Sequence, residues 1–235
     1  MLHGGGIDCA RLSWGQLYPE LVSSHRVVAF DWPGYGQSAP PPGECSTGFL
    51  VEFLAALLED LGIDRASLVG ISMGGAVAIG YTLDYPQRVE RLVLVDSYGL
   101  MRKTPSHALS YLFVKFPGIN WLTWVLMRSR AMVRWSLQAL LRRPGAVTDE
   151  LVNMALEEVL RPGAGQAWTS FQNSEMTWSG TRTCYLDRLG EIHKPTLIVH
   201  GTLDNAAPQE GSREAHVLIR GSRLYWMESC GHWPQ

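Results

Sequence analysis

The alternation of short β-branched runs with helical patterns constrains the fold of this chain more than any other feature. The runs have the composition of strands, and they lie at residues 26–30, 67–71, 91–95, 196–200 and 223–227. Ser46 or Thr47 caps an apolar-periodic run that stops at Gly62, and a second helical run extends from Met73 to about Asp84. Parallel strands need such helical crossovers. We therefore expect an α/β fold with a mainly parallel central sheet flanked by helices.

The alternation breaks between about residues 99 and 191. This stretch contains more than half of the tryptophans, and helical patterns occupy residues 120–143 and 149–160 within it. A helical block inserted into a βα alternation predicts a cap over a site at the sheet edge, and a helical subdomain without a ligand role is the alternative. We expect a core in two parts, residues 1–98 and 192–235, with a helical cap at residues 99–191.

Charge and cysteine usage exclude several classes of protein. With 20 basic and 22 acidic side chains the net charge is -2, so binding to nucleic acid is not expected. The four cysteines form no CxxC pair and no Cys/His cluster, which indicates neither a metal site nor a disulfide framework. Reduced thiols favour a cytoplasmic protein. No signal peptide is visible, and no apolar run approaches the roughly 20 residues of a transmembrane helix.

The strongest chemical signal is the sequence Gly70-Ile71-Ser72-Met73-Gly74. A strand pattern precedes it and a helical pattern follows it, which is the context that a nucleophile elbow requires. The two glycines allow backbones to approach where a Cβ atom would collide. The amides that begin the helix face negative charge near the serine. We predict Ser72 as a nucleophile, with a turn that merely tolerates glycine as the alternative.

A serine nucleophile needs a base and an acid that orients the base. His232, in the sequence CGHW at residues 230–233, follows the last predicted strand, at the edge of the sheet where ligand sites lie. Asp204 follows the strand at residues 196–200, and Asp96 follows the strand at residues 91–95. Both aspartates are candidates for the acid. The order serine, aspartate, histidine favours Asp204.

An oxyanion intermediate also needs hydrogen-bond donors. The backbone N–H of Met73 is one candidate, and the loop HGGG at residues 3–6 offers a second. Taken alone, HGGG is equally a flexible terminus or a small anion-binding nest.

Five motifs in order resemble the α/β-hydrolase family with a helical cap: HGGG, DWPGYGQS at residues 31–38, GISMGG, GTLDNAAP at residues 201–208, and CGHW. The resemblance covers the whole chain except residues 99–191. It implies a triad of Ser72, Asp204 and His232. It also implies an oxyanion hole formed by the amides of Gly5 and Met73, a structural role for DWPGYGQS, and neither a metal nor a cofactor.

The residue at the elbow narrows the reaction within this family. Haloalkane dehalogenases and epoxide hydrolases of this fold place aspartate where this chain has Ser72, whereas esterases and C–C bond hydrolases of aromatic degradation keep serine. The HGGG loop and Trp233 resemble the C–C hydrolases, which usually carry asparagine in place of Ile71. We expect a serine hydrolase that cleaves a carboxylic ester of a hydrophobic small molecule. The alternatives are a C–C hydrolase of aromatic meta-cleavage products and a non-catalytic ligand-binding or inactive member.

The positions of the motifs also bear on the length. In the family, further strands precede the strand that ends at HG, and a helix follows the catalytic histidine. Here two residues precede His3 and three follow His232. We therefore expect a chain that is truncated at both ends, by roughly 20 to 40 residues each, given the usual sizes of strands and helices.

Overall fold

A computed structural model describes residues 1–116, 118–143 and 145–235, and its centre is a four-stranded sheet. The strands are β1 (Ala66–Ile71), β2 (Val89–Val95), β3 (Thr196–Gly201) and β4 (Arg223–Met227). They pair in the order β1-β2-β3-β4, and all three pairings are parallel. The mainly parallel sheet is confirmed, and so are the strands predicted at residues 67–71, 91–95, 196–200 and 223–227.

Helices flank the sheet and fill the connections between its strands. In the described residues they are α1 (Ala10–Trp14), α2 (Tyr18–Leu21), α3 (Thr47–Asp60), α4 (Met73–Asp84), α5 (His107–Lys115), α6 (Ile119–Met127), α7 (Arg130–Leu141), α8 (Asp149–Leu160), α9 (Gln166–Glu175) and α10 (Gln209–Leu218). The Ser46 hydroxyl caps α3 by accepting the Phe49 N–H at 3.2 Å, and Gly62 follows with a φ of +61°. The predicted cap and stop of this helix are both confirmed.

The single helix predicted at residues 120–143 is wrong, because two helices occupy this stretch. Ser129 has extended backbone between α6 and α7. The break lets α7 turn one apolar face, with Val133, Leu137 and Leu141, onto α8. Burial of that face outweighs the continuous helical pattern of the sequence. The helix predicted at residues 149–160 coincides with α8.

The strand predicted at residues 26–30 is also wrong. This segment runs beside Met1–His3, and the Met1 ammonium donates to the Val28 carbonyl oxygen at 2.7 Å. On its other side Leu2 pairs with β1, since its N–H donates to Val69 and its carbonyl accepts from Ile71. Within the described residues no ladder of backbone hydrogen bonds joins residues 26–30 to this segment. The β-branched segment therefore contacts the sheet region without pairing into it.

The helices α5 to α9 all lie between β2 and β3, inside the segment predicted to form a cap. Its two residues outside the described ranges are 117 and 144. The α7 and α8 helices share a separate apolar cluster that Trp233 and Ile7 of the core also contact. None of the helices in the described ranges combines the length and apolarity needed to cross a bilayer.

Candidate active site

Ser72 occupies the sharp turn between β1 and α4. Its φ of +50° and ψ of -118° lie in a region that residues with side chains rarely adopt. The Ser72 N–H donates to the Val95 carbonyl at 3.0 Å, and the Ser72 carbonyl accepts from the N–H groups of Gly75 and Tyr98 at 2.9 and 3.0 Å. Neighbouring strand and helix backbone thus hold the strained conformation. It places Ser72 on the wall of a cavity.

The glycines on either side of Ser72 are required by close packing of backbone. A Cβ atom on Gly70 would lie 2.3 Å from the carbonyl oxygen of Gly74. One on Gly74 would lie 2.3 Å from the carbonyl oxygen of Leu2. Both contacts are far shorter than atoms tolerate. The turn therefore needs glycine at both positions, as the elbow motif predicts.

His232 and Asp204 are joined by a hydrogen bond of 2.8 Å between Nδ1 and Oδ2. Asp204 lies on the loop after β3, and its Oδ1 accepts the N–H groups of Ala206 and Ala207 at 2.7 and 3.2 Å. His232 lies on the loop after β4 and lines the same cavity as Ser72. Within the described residues no hydrogen bond joins Ser72 to His232. Catalytic contacts in unliganded enzymes often tighten only with substrate bound.

The hydrogen bond between His232 and Asp204 helps to raise the pKa of the histidine and to lower the pKa of the aspartate, as a general base and its acidic partner require. Burial alone would lower the pKa of His232, but the hydrogen bond and negative charge of Asp204 raise it above its usual value. Burial alone would raise the pKa of Asp204, but the hydrogen bond and charge of His232 bring it below its usual value. Asp204 is thus held as an anion beside the imidazole.

The HGGG loop brings backbone amides to the cavity opposite α4. Gly5 and Met73 both line the cavity, and in the described structure neither N–H donates a hydrogen bond to the protein. The Gly4 N–H donates to Asp8 Oδ2 at 2.7 Å, which fixes the loop from behind. The ring of Trp168 packs directly on Gly5, where a Cβ atom would lie 2.1 Å from the ring. Two residues of the cavity lining that Ser72 shares therefore have N–H groups without a protein acceptor in the described structure.

His3 serves the structure of this loop. Its Nε2 accepts the Trp32 N–H at 3.0 Å, and its carbonyl accepts the Trp32 indole N–H at 3.0 Å. Burial lowers the pKa of His3 to about 4, so the imidazole stays neutral. Asp31 binds the Ala10 and Gln37 N–H groups through its two carboxylate oxygens. The contacts of the DWPGYGQS motif thus brace the HGGG loop and α1.

The cavity has a volume of about 400 Å³ and is lined mainly by apolar side chains. Helices of the sheet core and of the segment predicted to form a cap both contribute. Met73 comes from α4, Leu137 and Leu140 from α7, and Trp168 and Phe171 from α9. Among its described lining residues there is no lysine or arginine. Its one acidic lining residue is Glu175. The chemistry of the cavity suits an uncharged, hydrophobic compound.

Glu175 ends α9 and is buried in the wall of the cavity. Its Oε1 accepts the Thr47 N–H at 2.9 Å. Its Oε2 accepts the Tyr98 hydroxyl at 3.2 Å and the Thr183 N–H at 3.1 Å. Three donors from three separate segments therefore hold one carboxyl group in place.

Ile71, which precedes the elbow serine, does not line the cavity. Its side chain is fully buried in β1 and packs with Trp14 and Val95. An apolar residue suits this environment. Ile71 can therefore influence the choice of substrate only through the packing beneath Ser72.

Asp96, the rival candidate for the acid, lies behind Asp204, and in the described structure the hydrogen bond to His232 belongs to Asp204. Ligand atoms of Asp96, His200 and Asp204 fall within 4.8 Å of one another. The His232 and Ala206 donors already occupy Asp204, and Ser212 Oγ lies 2.8 Å from His200 Nδ1. The group is a hydrogen-bond network, and these partners leave it unsuited to hold a metal ion.

Two residues of the site escaped the motif analysis. Asp8 fixes Gly4 and also accepts the Ser13 hydroxyl at 2.6 Å. Glu175 shapes the charge of the cavity. Neither carries a sequence signal, because nothing in the local sequence marks its carboxyl group as buried. The Thr47 and Tyr98 donors of Glu175 are also distant from it along the chain. The three residues predicted as a triad, Ser72, Asp204 and His232, lie together at one edge of the sheet.

Comparisons with known proteins agree with this geometry. The alpha/beta hydrolase fold family matches residues 1–235. The 2-hydroxy-6-oxo-2,4-heptadienoate hydrolase of Pseudomonas putida strain F1 is 31% identical, over 100% of this chain and 82% of that protein. The 2-hydroxymuconate semialdehyde hydrolase of Pseudomonas sp. strain CF600 is 30% identical, over 100% of this chain and 80% of its own length. Among solved structures, a mutant meta-cleavage product hydrolase from Pseudomonas fluorescens IP01, complexed with acetates, is similar with a TM-score of 0.81. It is 27% identical, over 100% of this chain and 83% of that one.

Proposed function

The chain belongs to the α/β-hydrolase fold family, and we propose that it is a serine hydrolase acting on an ester of an uncharged hydrophobic small molecule. Ser72 is the nucleophile, His232 the general base and Asp204 the acid that orients the base. The N–H groups of Gly5 and Met73 form the oxyanion hole. The cytoplasmic location stays a prediction that rests on the cysteine usage.

The proposed reaction proceeds in two steps. His232 takes the Ser72 proton as the hydroxyl attacks the ester carbonyl, and the alcohol leaves with that proton to give an acyl-enzyme. His232 then removes a proton from water, which attacks the acyl carbonyl. The bond to Ser72 breaks to release the acid, and His232 returns the proton to the Ser72 hydroxyl. The amides of Gly5 and Met73 stabilise the oxyanion of each tetrahedral intermediate.

The observation that carries the ester proposal is the charge of the cavity. Dienoate substrates, as the names of the relatives describe them, carry a carboxylate. A carboxylate taken out of water needs a cation or several strong donors to offset its desolvation. The described lining of this cavity offers neither lysine nor arginine, and Glu175 adds a carboxyl group of its own. An uncharged ester avoids both costs.

Cleavage of a C–C bond in a dienoate is the second candidate, and the names of the relatives favour it. It uses the same three side chains and the same cavity. Trp233, beside the proposed base, lines the cavity as well. A substrate whose carboxylate protrudes into solvent would reconcile this reaction with the charge of the cavity.

The first experiment tests the serine mechanism. A fluorophosphonate probe should label the full chain at Ser72, and Ser72→Ala should neither be labelled nor turn over ester. Ser23→Ala, which removes a hydroxyl from an exposed residue, is the matched control and should keep full labelling. Hydrophobic ligand binding without any labelling would instead support a non-catalytic member, and the proposal would be wrong.

The second experiment separates the two reactions. We would compare kcat/KM for an uncharged aryl ester, the same ester with a terminal carboxylate, and 2-hydroxy-6-oxo-2,4-heptadienoate. The proposal expects the uncharged ester to be the best of the three, by at least about tenfold, which corresponds to about 1.4 kcal/mol. A dienoate that surpasses both esters would assign the chain to C–C cleavage.

A further inference from the structure

A second carboxyl group, that of Asp96, is buried directly behind the proposed acid Asp204. Asp96 follows β2, has a φ of +41° and is inaccessible to solvent. Its Oδ1 accepts the Gly201 N–H at 2.9 Å. Its Oδ2 is equally buried, and no N–H or hydroxyl donor of the described structure binds it. A buried oxygen without a partner calls for an explanation.

The titratable groups around Asp96 come from each neighbouring segment. His200 is the last residue but one of β3, with Nδ1 3.3 Å from Asp96 Oδ1. Asp204 follows β3, and Cys230 and His232 follow β4. In the described structure no lysine or arginine pairs with Asp96.

Neither imidazole gives Asp96 the support that an anion would need. Burial lowers the pKa of His200, so this imidazole is neutral at pH 7. His232 directs its Nδ1 to Asp204. Two carboxylates that share one buried site cannot both ionise at low cost.

Asp204 is the better anion of the two. It accepts two backbone N–H groups and the His232 ring, whereas Asp96 accepts one backbone N–H. Burial raises the pKa of Asp96 to about 8, and the charge of Asp204 and a hydrogen bond with its side chain contribute to the shift. The proton that the pair retains therefore belongs on Asp96.

We propose that Asp96 is a positioning residue that carries a proton at neutral pH and donates its O–H to the Asp204 carboxylate. The pair then holds one proton and one negative charge. Donation gives the unpartnered Asp96 oxygen its hydrogen bond. It also fixes the Asp204 carboxylate for His232, so the inference rests on the proposed triad.

Infrared spectroscopy of the full chain tests the protonation without any need for turnover. At pH 7 the spectrum of the wild type minus that of Asp96→Asn should contain the carbonyl stretch of a protonated carboxyl group, and the signal of Asp8, which both proteins share, cancels in this difference. The difference band should vanish as the pH rises through about 8. Identical spectra of the two proteins at pH 7 would overturn the proposal. Because this readout does not depend on hydrolysis, it holds even if the proposed reaction is wrong.

Kinetics then test the positioning role. Asp96→Ala should lower kcat/KM by about tenfold, and Asp96→Asn, which keeps a neutral donor, should recover most of this loss. The acid limb of the pH profile should move by less than about 0.3 units in Asp96→Asn, because a neutral residue replaces a neutral one. A limb displaced to lower pH by about one unit or more would mean that Asp96 is an anion in the wild type, and would refute the proposal.

Discussion

The backbone N–H of His232 donates to the carbonyl oxygen of Leu140 at 2.8 Å, so the loop of the proposed base is attached to α7 of the cap segment. The adjacent Gly231 N–H donates to Leu141 at the same distance of 2.8 Å. The carbonyls that end α7 lack partners within the helix, and these two find them in the loop. The proposed base is thus placed by a helix that lies far from it in the sequence.

Replacement of Gly231 by alanine tests this attachment. A Cβ atom there would lie 2.0 Å from the Leu140 carbonyl oxygen, so the loop must shift. We expect kcat/KM to fall by about 100-fold, as a displacement of about 1 Å at a reacting group can cause. Gly43→Ala is the control, since nothing lies within 4 Å of its added atom. Equal activity of the two variants would show that the attachment has no effect on catalysis.

Asp204→Asn should lower kcat by roughly 10³- to 10⁴-fold, the scale found when a triad acid is replaced by its amide. Asp204 raises the pKa of His232. Without that charge the imidazole loses its proton at lower pH, so the acid limb of kcat/KM should move to lower pH. The exposed Asp60→Asn serves as the control. A pH profile of the residual activity with an unchanged acid limb would contradict the pairing of Asp204 with His232.

Glu175→Gln should make the cavity more tolerant of negative charge. Removal of the carboxylate should improve kcat/KM for a carboxylate-bearing ester relative to its uncharged counterpart by about tenfold, on the scale of one like-charge interaction in a partly screened site. The exposed Glu59→Gln should leave this ratio unchanged. If Glu175→Gln leaves the ratio of the two kcat/KM values unchanged, Glu175 does not determine the specificity for uncharged esters.

The same substitution should destabilise the fold. The side-chain amide of the introduced glutamine would point an N–H at one of the groups that now donate to Glu175. That group would then be a buried donor without an acceptor, which lowers the free energy of unfolding by about 1–3 kcal/mol. Urea unfolding curves of the two proteins measure this difference. An unchanged free energy of unfolding in Glu175→Gln would mean that water can take the place of the three hydrogen bonds that Glu175 accepts.

Asp8→Asn should change how stability depends on pH. Burial raises the pKa of Asp8 to about 7, above its ordinary value of 3.8 in an unfolded chain. Between these two values the folded state holds a proton that the unfolded state has lost, so this residue makes stability fall as the pH rises. The stability of the variant minus that of the wild type should therefore rise with pH from about 4 to 7, by up to about 1.4 kcal/mol per pH unit.

Unfolding free energies of both proteins at a series of pH values measure this difference. Asp64→Asn, at an exposed position, should give a difference that is independent of pH over the same range. A flat difference for Asp8→Asn would show that its carboxyl group is ionised throughout.

Local signals predicted most of the sheet and the helices α3, α4 and α8. The strand β4 and the helices α4 and α8 have the predicted bounds. In α8 the apolar periodicity agrees with the buried face of Val152, Ala155 and Val159. Two predictions failed where a tertiary partner decides the outcome. In the described structure residues 26–30 form no backbone ladder, and the break at Ser129 follows from the packing of α7 on α8.

The site divides in the same way. Ser72, Asp204 and His232 follow strands, so the sequence order of a parallel sheet brings them to one edge. Asp8, Asp96 and Glu175 act through burial. Asp96 and Glu175 also act through donors that are distant along the chain, as the contact between Thr47 and Glu175 illustrates. Only the folded chain reveals which acidic residues are buried.

The hydrogen bonds of Glu175 bring both connections of the cap segment to one point of the core. Tyr98 directly precedes that segment, Thr183 lies near its end, and Thr47 begins α3 of the core. The two ends of the segment therefore lie close together, because Tyr98 and Thr183 both donate to the same oxygen of Glu175. A segment whose two ends meet in this way can vary in length without displacing β2 from β3. We therefore expect that another helical segment grafted in its place, with Tyr98 and Glu175 retained, would leave the sheet folded.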